Sequence, residues 1–168
     1  SALKNEILHL LKKCQLYNLR LLNIDENLVF DADAIENNKK RNLRLEDQYE
    51  NIKLLHAAIY TYYAKIQNHQ LADEETVDME RMMFASRNIM NATKNFKGIY
   101  GNMEELDGSE NRYLNAQYAL FRKRLVELCI NMNTVLQLEN QEDQYQHLLR
   151  IFMNIEDTDS RFIKRTMT

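Results

Sequence analysis

The string Glu6-Ile7-Leu8-His9 is the sequence feature nearest to a metal-binding motif, because a Glu-x-x-His pair places a carboxylate and an imidazole one helical turn apart. A carboxylate-bridged di-iron bundle needs that pair on two helices plus further inward acids, and no second copy exists here. His56, His69 and His147 have no histidine three or four residues away. His56 falls on an apolar stripe, where a hydrogen-bonded core histidine is expected. No Ser, Cys or Lys stands in a nucleophile setting, and no glycine-rich phosphate loop follows a strand. Cys14 and Cys129 lie on apolar helical stripes. A disulfide between them is compatible with the sequence, but buried free thiols in a reducing compartment fit it better. No catalytic residue, metal site or cofactor is expected, and the chain is read as a non-enzyme.

The remaining polar features suit contact rather than catalysis. Lys39-Lys40-Arg41 with Arg44, and Arg122-Lys123-Arg124, form basic clusters that fit either a solvated helix face or an anionic membrane surface. Tyr60, Tyr62 and Tyr63 are expected to divide between core and rim. Met79, Met82, Met83 and Met90 are expected to fill core, with an adaptable contact surface as the sharper alternative.

The elements that must carry these residues are helical. The chain has 168 residues, 28% charged and 45% hydrophobic, a net charge of −3, three glycines and no proline. This balance disfavours disorder and nucleic-acid binding, and the scarcity of turn residues disfavours a strand-rich fold. There is no signal peptide and no apolar run near the length of a membrane span. Apolar residues recur at alternating spacings of three and four. The first helix carries Leu3, Ile7, Leu10, Cys14, Tyr17 and Leu21, and the second carries Leu45, Tyr49, Ile52, His56, Ile59, Tyr63 and Ile66. The third carries Met79, Met82, Met83, Ser86, Ile89, Met90, Thr93, Phe96, Tyr100 and Met103, and the fourth carries Leu114, Tyr118, Phe121, Leu125, Leu128, Met132 and Val135. The fifth carries Tyr145, Leu148, Phe152, Ile155 and Phe162.

The breaks are short. Asn23-Ile24-Asp25 ends one helix and lets Asp25 cap the next. Asp73-Glu74-Glu75 places acids where a helix dipole favours them. Asp107-Gly108-Ser109 supplies a glycine stop and a serine cap, and Asn140-Gln141 is the weakest break. The second helix is expected from about Asp25 to Asn68, roughly 60 Å long, with a thinly packed polar stretch from Asp31 to Arg44. Gly98 and Gly101 inside the third helix are expected to mark a tight helix–helix approach. The fold class is therefore all-α, an antiparallel up-down bundle of about five helices forming a single domain over 1–168.

Three stretches taken in order resemble a known arrangement. They are Tyr49 to Gln67, Leu71 to Thr76, and Ser86 to Leu106. They are similar to the PhoU-like cytoplasmic domain of bacterial sodium/phosphate cotransporter family proteins. The likeness rests on Tyr49, Ile52 and Lys53; on Lys65-Ile66-Gln67; and on Arg87, Asn88, Met90, Ala92, Lys94, Lys97, Asn102, Glu104, Glu105 and Leu106. Where PhoU proteins proper carry two metal-binding acids, this chain has Lys97 and Gly101, so metal binding is not carried over. The resemblance implies a non-catalytic regulatory or interaction domain of a sodium-dependent phosphate transporter, on the cytoplasmic side of the bacterial inner membrane. The start at Ser1-Ala2, without an initiator Met, is read as that of an excised fragment or of a whole protein that has lost its Met. Expected partners are the membrane domain of its own transporter chain, with a second copy of the chain and the membrane surface as further candidates. The alternatives are a free-standing PhoU-like regulator of phosphate uptake and a carboxylate-bridged metalloprotein.

Overall fold

The computed structural model describes residues 2–31, 44–69 and 71–137, and further along Asp143, Gln146, Arg150 and Met153. The described chain is all-helical, with no strand. Helix α1 spans Ala2–Leu21, a 3-10 turn spans Glu26–Leu28, α2 spans Leu45–Gln67, α3 spans Asp73–Asp107 and α4 spans Arg112–Gln137. The stripe expected to form a fifth helix lies outside the described residues. The chain divides into two compact units, Ser1–Ala119 and Leu120–Thr168, with the boundary inside α4.

In the first unit α1 packs against both α2 and α3, and α2 packs against α3. Pairwise contacts give the directions. Tyr49 of α2 meets Lys97 of α3, and further along α2 His56 feels the charge of Arg87, so α2 and α3 are antiparallel. Cys14 of α1 shares a hydrogen bond with Thr93, and Tyr17 meets Tyr49, so α1 runs parallel to α3 and antiparallel to α2. The core contains the whole stripe expected of the first helix, Leu3 to Leu21, with Tyr49, Ile52, Ile59 and Met83. Met79, Met82 and Met90 pack against it, as core filler should.

Helix α1 is buried beyond that stripe. Every residue from Cys14 to Leu19 is buried, and Leu22 and Ile24 are buried as well. The amides of Gln15 and Asn18, one turn apart, are among these residues. Both oxygens, and the Gln15 nitrogen, lack a hydrogen-bond partner among the described residues. An amphipathic period reports one buried face; here a second face is covered too.

Local sequence accounts for the ends of α1. Asn23 takes φ 54°, in the left-handed region that asparagine tolerates better than most residues. Its N–H reaches the Arg20 carbonyl at 3.1 Å, and the Ile24 N–H reaches that of Leu19 at 2.9 Å. This is a Schellman closure, completed by the burial of both Leu19 and Ile24. Asp25 then accepts from the Asn27 N–H at 3.0 Å and caps the 3-10 turn.

Three expectations need correction. The second helix does not run from Asp25: only a three-residue 3-10 turn follows the cap, residues 29–31 are non-helical, and α2 begins at Leu45. Most helical stability comes from burying an apolar face, and in the 3-10 turn no residue is buried and Leu28 is 57% exposed. Residues 32–43, within the polar run from Asp31 to Arg44, lie outside the described residues. The cap of α4 is Asn111, not Ser109: Asn111 Oδ1 accepts from the Tyr113 N–H at 2.9 Å, while Ser109 Oγ accepts from the Asn111 N–H at 3.1 Å. Gly98 and Gly101 do not mark a close approach. Both are exposed, and no atom lies within 4 Å of where a Cβ would stand. The small residues facing inward on α3 are Ser86 and Thr93, seven apart, with 0% and 1% exposure.

Candidate functional site

The densest meeting of chemically active side chains is built around Tyr49. Its position follows from the second-helix stripe, which turns Tyr49, Ile52 and Ile59 inward. Antiparallel packing brings the end of α1 alongside, so the Tyr17 and Tyr49 rings lie 5.6 Å apart, tilted by 38°. Lys53 follows Tyr49 by one turn and holds its Nζ 5.5 Å from the Tyr49 ring centroid. Lys97 arrives from α3 and sits closer, at 4.1 Å. Cations over an aromatic face are attracted by its quadrupole, with about 0.5–1 kcal/mol expected at exposed positions.

Charge around the ring is unevenly balanced. Lys53 forms an ion pair with Glu50 at 2.7 Å, and this hydrogen bond raises its pKa. Lys97 makes no ion pair among the described residues, and its α3 neighbour one turn back is Lys94. Burial, with a smaller contribution from Tyr49, raises the Tyr17 pKa, so that phenol remains a neutral hydroxyl at physiological pH. The Tyr17 and Tyr49 rings are nearly covered, at 2% and 8% exposure, and neither phenol oxygen is among the fully buried polar atoms that lack a partner.

A clasp fixes the neighbouring backbone. Arg20, in the last turn of α1, pairs with Glu26 of the 3-10 turn and donates from one terminal nitrogen to Gln48 Oε1 at 2.8 Å. One guanidinium thus ties the end of α1, the turn after it and the start of α2, and holds Tyr49 beside Tyr17. Sequence spacing could have found the Tyr49–Lys53 pair. The approach of Tyr17, Lys97 and the Arg20 clasp depends on tertiary packing that no local pattern records.

The other singled-out residues fall elsewhere. Glu6 and His9 lie exposed on α1, and among the described residues no three His, Cys, Asp or Glu side chains gather as a metal site would require. Partial burial, with the nearby Lys13, lowers the His9 pKa. His56 is half-buried at the α2–α3 seam; burial and then Arg87 lower its pKa. Cys14 and Cys129 are free and buried, and burial raises each thiol to about 11. Tyr60 and Tyr62 are exposed while Tyr63 packs against the core and accepts from Gln67 at 2.7 Å, the division expected for the three. Arg44 lies 3.5 Å from Asp47; Lys39, Lys40, Arg41 and His147 are outside the described residues. In the second unit Lys123 is exposed and Arg122 and Arg124 are half-buried.

Among the described residues no helix is long and apolar enough to cross a membrane. No family model matches the chain, and no curated protein or solved structure matches it either.

Proposed function

We propose that this chain is a non-catalytic regulatory and contact domain of a sodium-dependent phosphate transporter: a PhoU-like bundle of about five helices on the cytoplasmic side of the bacterial inner membrane. The observation that carries the reading is the placement of the residues on which the resemblance rests. Tyr49, Ile52 and Lys53 from one stretch and Met90 and Lys97 from another come together on the α2–α3 pair. Ile52 and Met90 anchor this pair in the core, while the exposed Lys53 and Lys97 from the two motifs flank the Tyr49 ring, and such a basic rim suits a docking or sensing surface. Its partner in this reading is the membrane domain of its own chain, with a second copy of the chain and the membrane surface as further contacts.

The test is sodium-driven uptake of labelled phosphate by cells expressing the parent gene. Lys97→Glu in an otherwise intact gene is expected to change uptake several-fold at unchanged protein level. Unchanged uptake overturns the regulatory role. A parent gene encoding no membrane-spanning helices overturns the transporter assignment and favours a free-standing regulator of phosphate uptake.

A further inference from the structure

We propose that the outward face of α2 between Glu50 and Lys65 is a self-association surface, on which two copies of this chain pair antiparallel about a two-fold axis between Ala57 and Ala58. From Leu54 to Ala64 the sequence holds no Asp, Glu, Lys or Arg. At about 100° per residue, Glu50, Leu54, Ala57, Ala58, Thr61 and Lys65 share one arc of the helix. It lies opposite the arc of Tyr49, Ile52 and Ile59, which enters the core. All six residues of the outer arc are exposed, Leu54 at 67%, and the exposed rings of Tyr60 and Tyr62 flank it. The outer face of a surface helix normally carries charge, so an uncharged centre bounded by charges marks an interaction surface. The Thr61 hydroxyl donates to the Ala57 carbonyl at 3.0 Å, so it enters a contact without losing its partner. Alanines at the centre let two helix axes approach closely.

The charges select the occupant and its direction. In the antiparallel pairing Ala57 stands opposite Ala58 of the second copy, Leu54 opposite Thr61, and Glu50 opposite Lys65. Two-fold symmetry makes each of these contacts twice. A parallel pairing would set Glu50 against Glu50 and Lys65 against Lys65, which repel. Glu50 already holds Lys53 at 2.7 Å, and a carboxylate accepts from a second cation as well. Lys65 makes no ion pair among the described residues. One helix face offers less than the roughly 800 Å² per partner of a standard interface, so the dimer is expected to be weak, with a Kd on the order of 100 μM. The surface, direction and register follow from this face alone, and a monomeric chain would leave the transporter reading standing.

The experiment is sedimentation of the purified full chain from about 10 μM to about 1 mM, a range that brackets the expected Kd. A reversible monomer–dimer equilibrium is expected. Leu54→Glu should weaken it at least about tenfold, because each copy would bring an unpaired carboxylate into the contact. Glu50→Lys and Lys65→Glu should each weaken it several-fold, and the double variant should restore it, because reversing both charges returns the opposite pair. Arg81→Glu, an exposed charge reversal on α3, should leave it unchanged. Circular dichroism of each variant checks that the fold persists. A chain monomeric throughout the range, a dimer indifferent to Leu54→Glu, or a double variant no better than the singles overturns the proposal. Vesicles of phosphatidylcholine with phosphatidylglycerol test the other occupant: adsorption of a chain that stays monomeric, lost in Leu54→Glu, assigns this face to the membrane and overturns it too.

Discussion

The inner and outer faces of α3 use small residues in opposite ways. Inward, Ser86 and Thr93 are completely covered, and Thr93 shares a hydrogen bond with Cys14 of α1. Outward, Gly98 and Gly101 meet no atom within 4 Å. Smallness by itself therefore does not identify a contact. What distinguishes the two pairs is the neighbour, not residue size: Ser86 and Thr93 are covered by the packed helices, whereas no atom comes near enough to the glycines to touch a Cβ.

The strongest way to break this comparison is to enlarge the inner face. Ser86→Leu should cost about 3 kcal/mol by overpacking a site with no room, read as a lower urea midpoint; an unchanged midpoint would mean that α1 does not press on Ser86. The Cys14 thiol, raised to about 11 from 9.0, should react with a maleimide about a hundredfold more slowly in the native chain than in denaturant, through its lost thiolate fraction alone. Native labelling as fast as in urea would put Cys14 outside the core. On the outer face, Gly98→Ala and Gly101→Ala should each stabilise by about 1 kcal/mol, because they raise helix propensity without meeting a neighbour. A loss of stability there would reveal a partner pressed against this face.

The smallest effect lies on the border between the faces, where His56 meets Arg87. Its folded pKa is lowered below the ordinary 6.5, so the folded state disfavours protonation. The corresponding stability is present above the unfolded pKa and is lost as the pH falls through 6.5 toward the folded value. NMR titration should place His56 below 6.5, and Arg87→Gln should move it upward by removing one of the two causes. A His56 pKa above 6.5 would contradict the seam as described.

Much of this architecture was legible residue by residue. The spacing from Leu3 to Leu21 named the face of α1 that packs on α2 and α3, and Asn23 named its end, because few other residues accept φ 54° so readily. Leu16 and Leu19 were not foreseen as core: a helix buried on two sides breaks the single-stripe rule, and only tertiary packing tells when the second side is covered. Ser109 looked like a cap, but Asn111 stood two residues nearer the helix and took the free amides. At the candidate site, Tyr49 and Lys53 share a local spacing. Tyr17 and Lys97 are distant in sequence and meet Tyr49 only because α2 runs opposite to both α1 and α3.

The burial of α1 has a consequence for the order of synthesis. The helix most enclosed by the fold leaves the ribosome before either of the helices that α1 packs against. At ordinary elongation rates the end of α3 follows the end of α1 by roughly 4–17 s. During that interval the stripe from Leu3 to Leu21, together with Leu16 and Leu19, has no α3 to pack against. The nascent chain therefore presents its most deeply buried helix early, and a chaperone that binds α1 until α3 emerges would cover a stripe that otherwise waits for its partner.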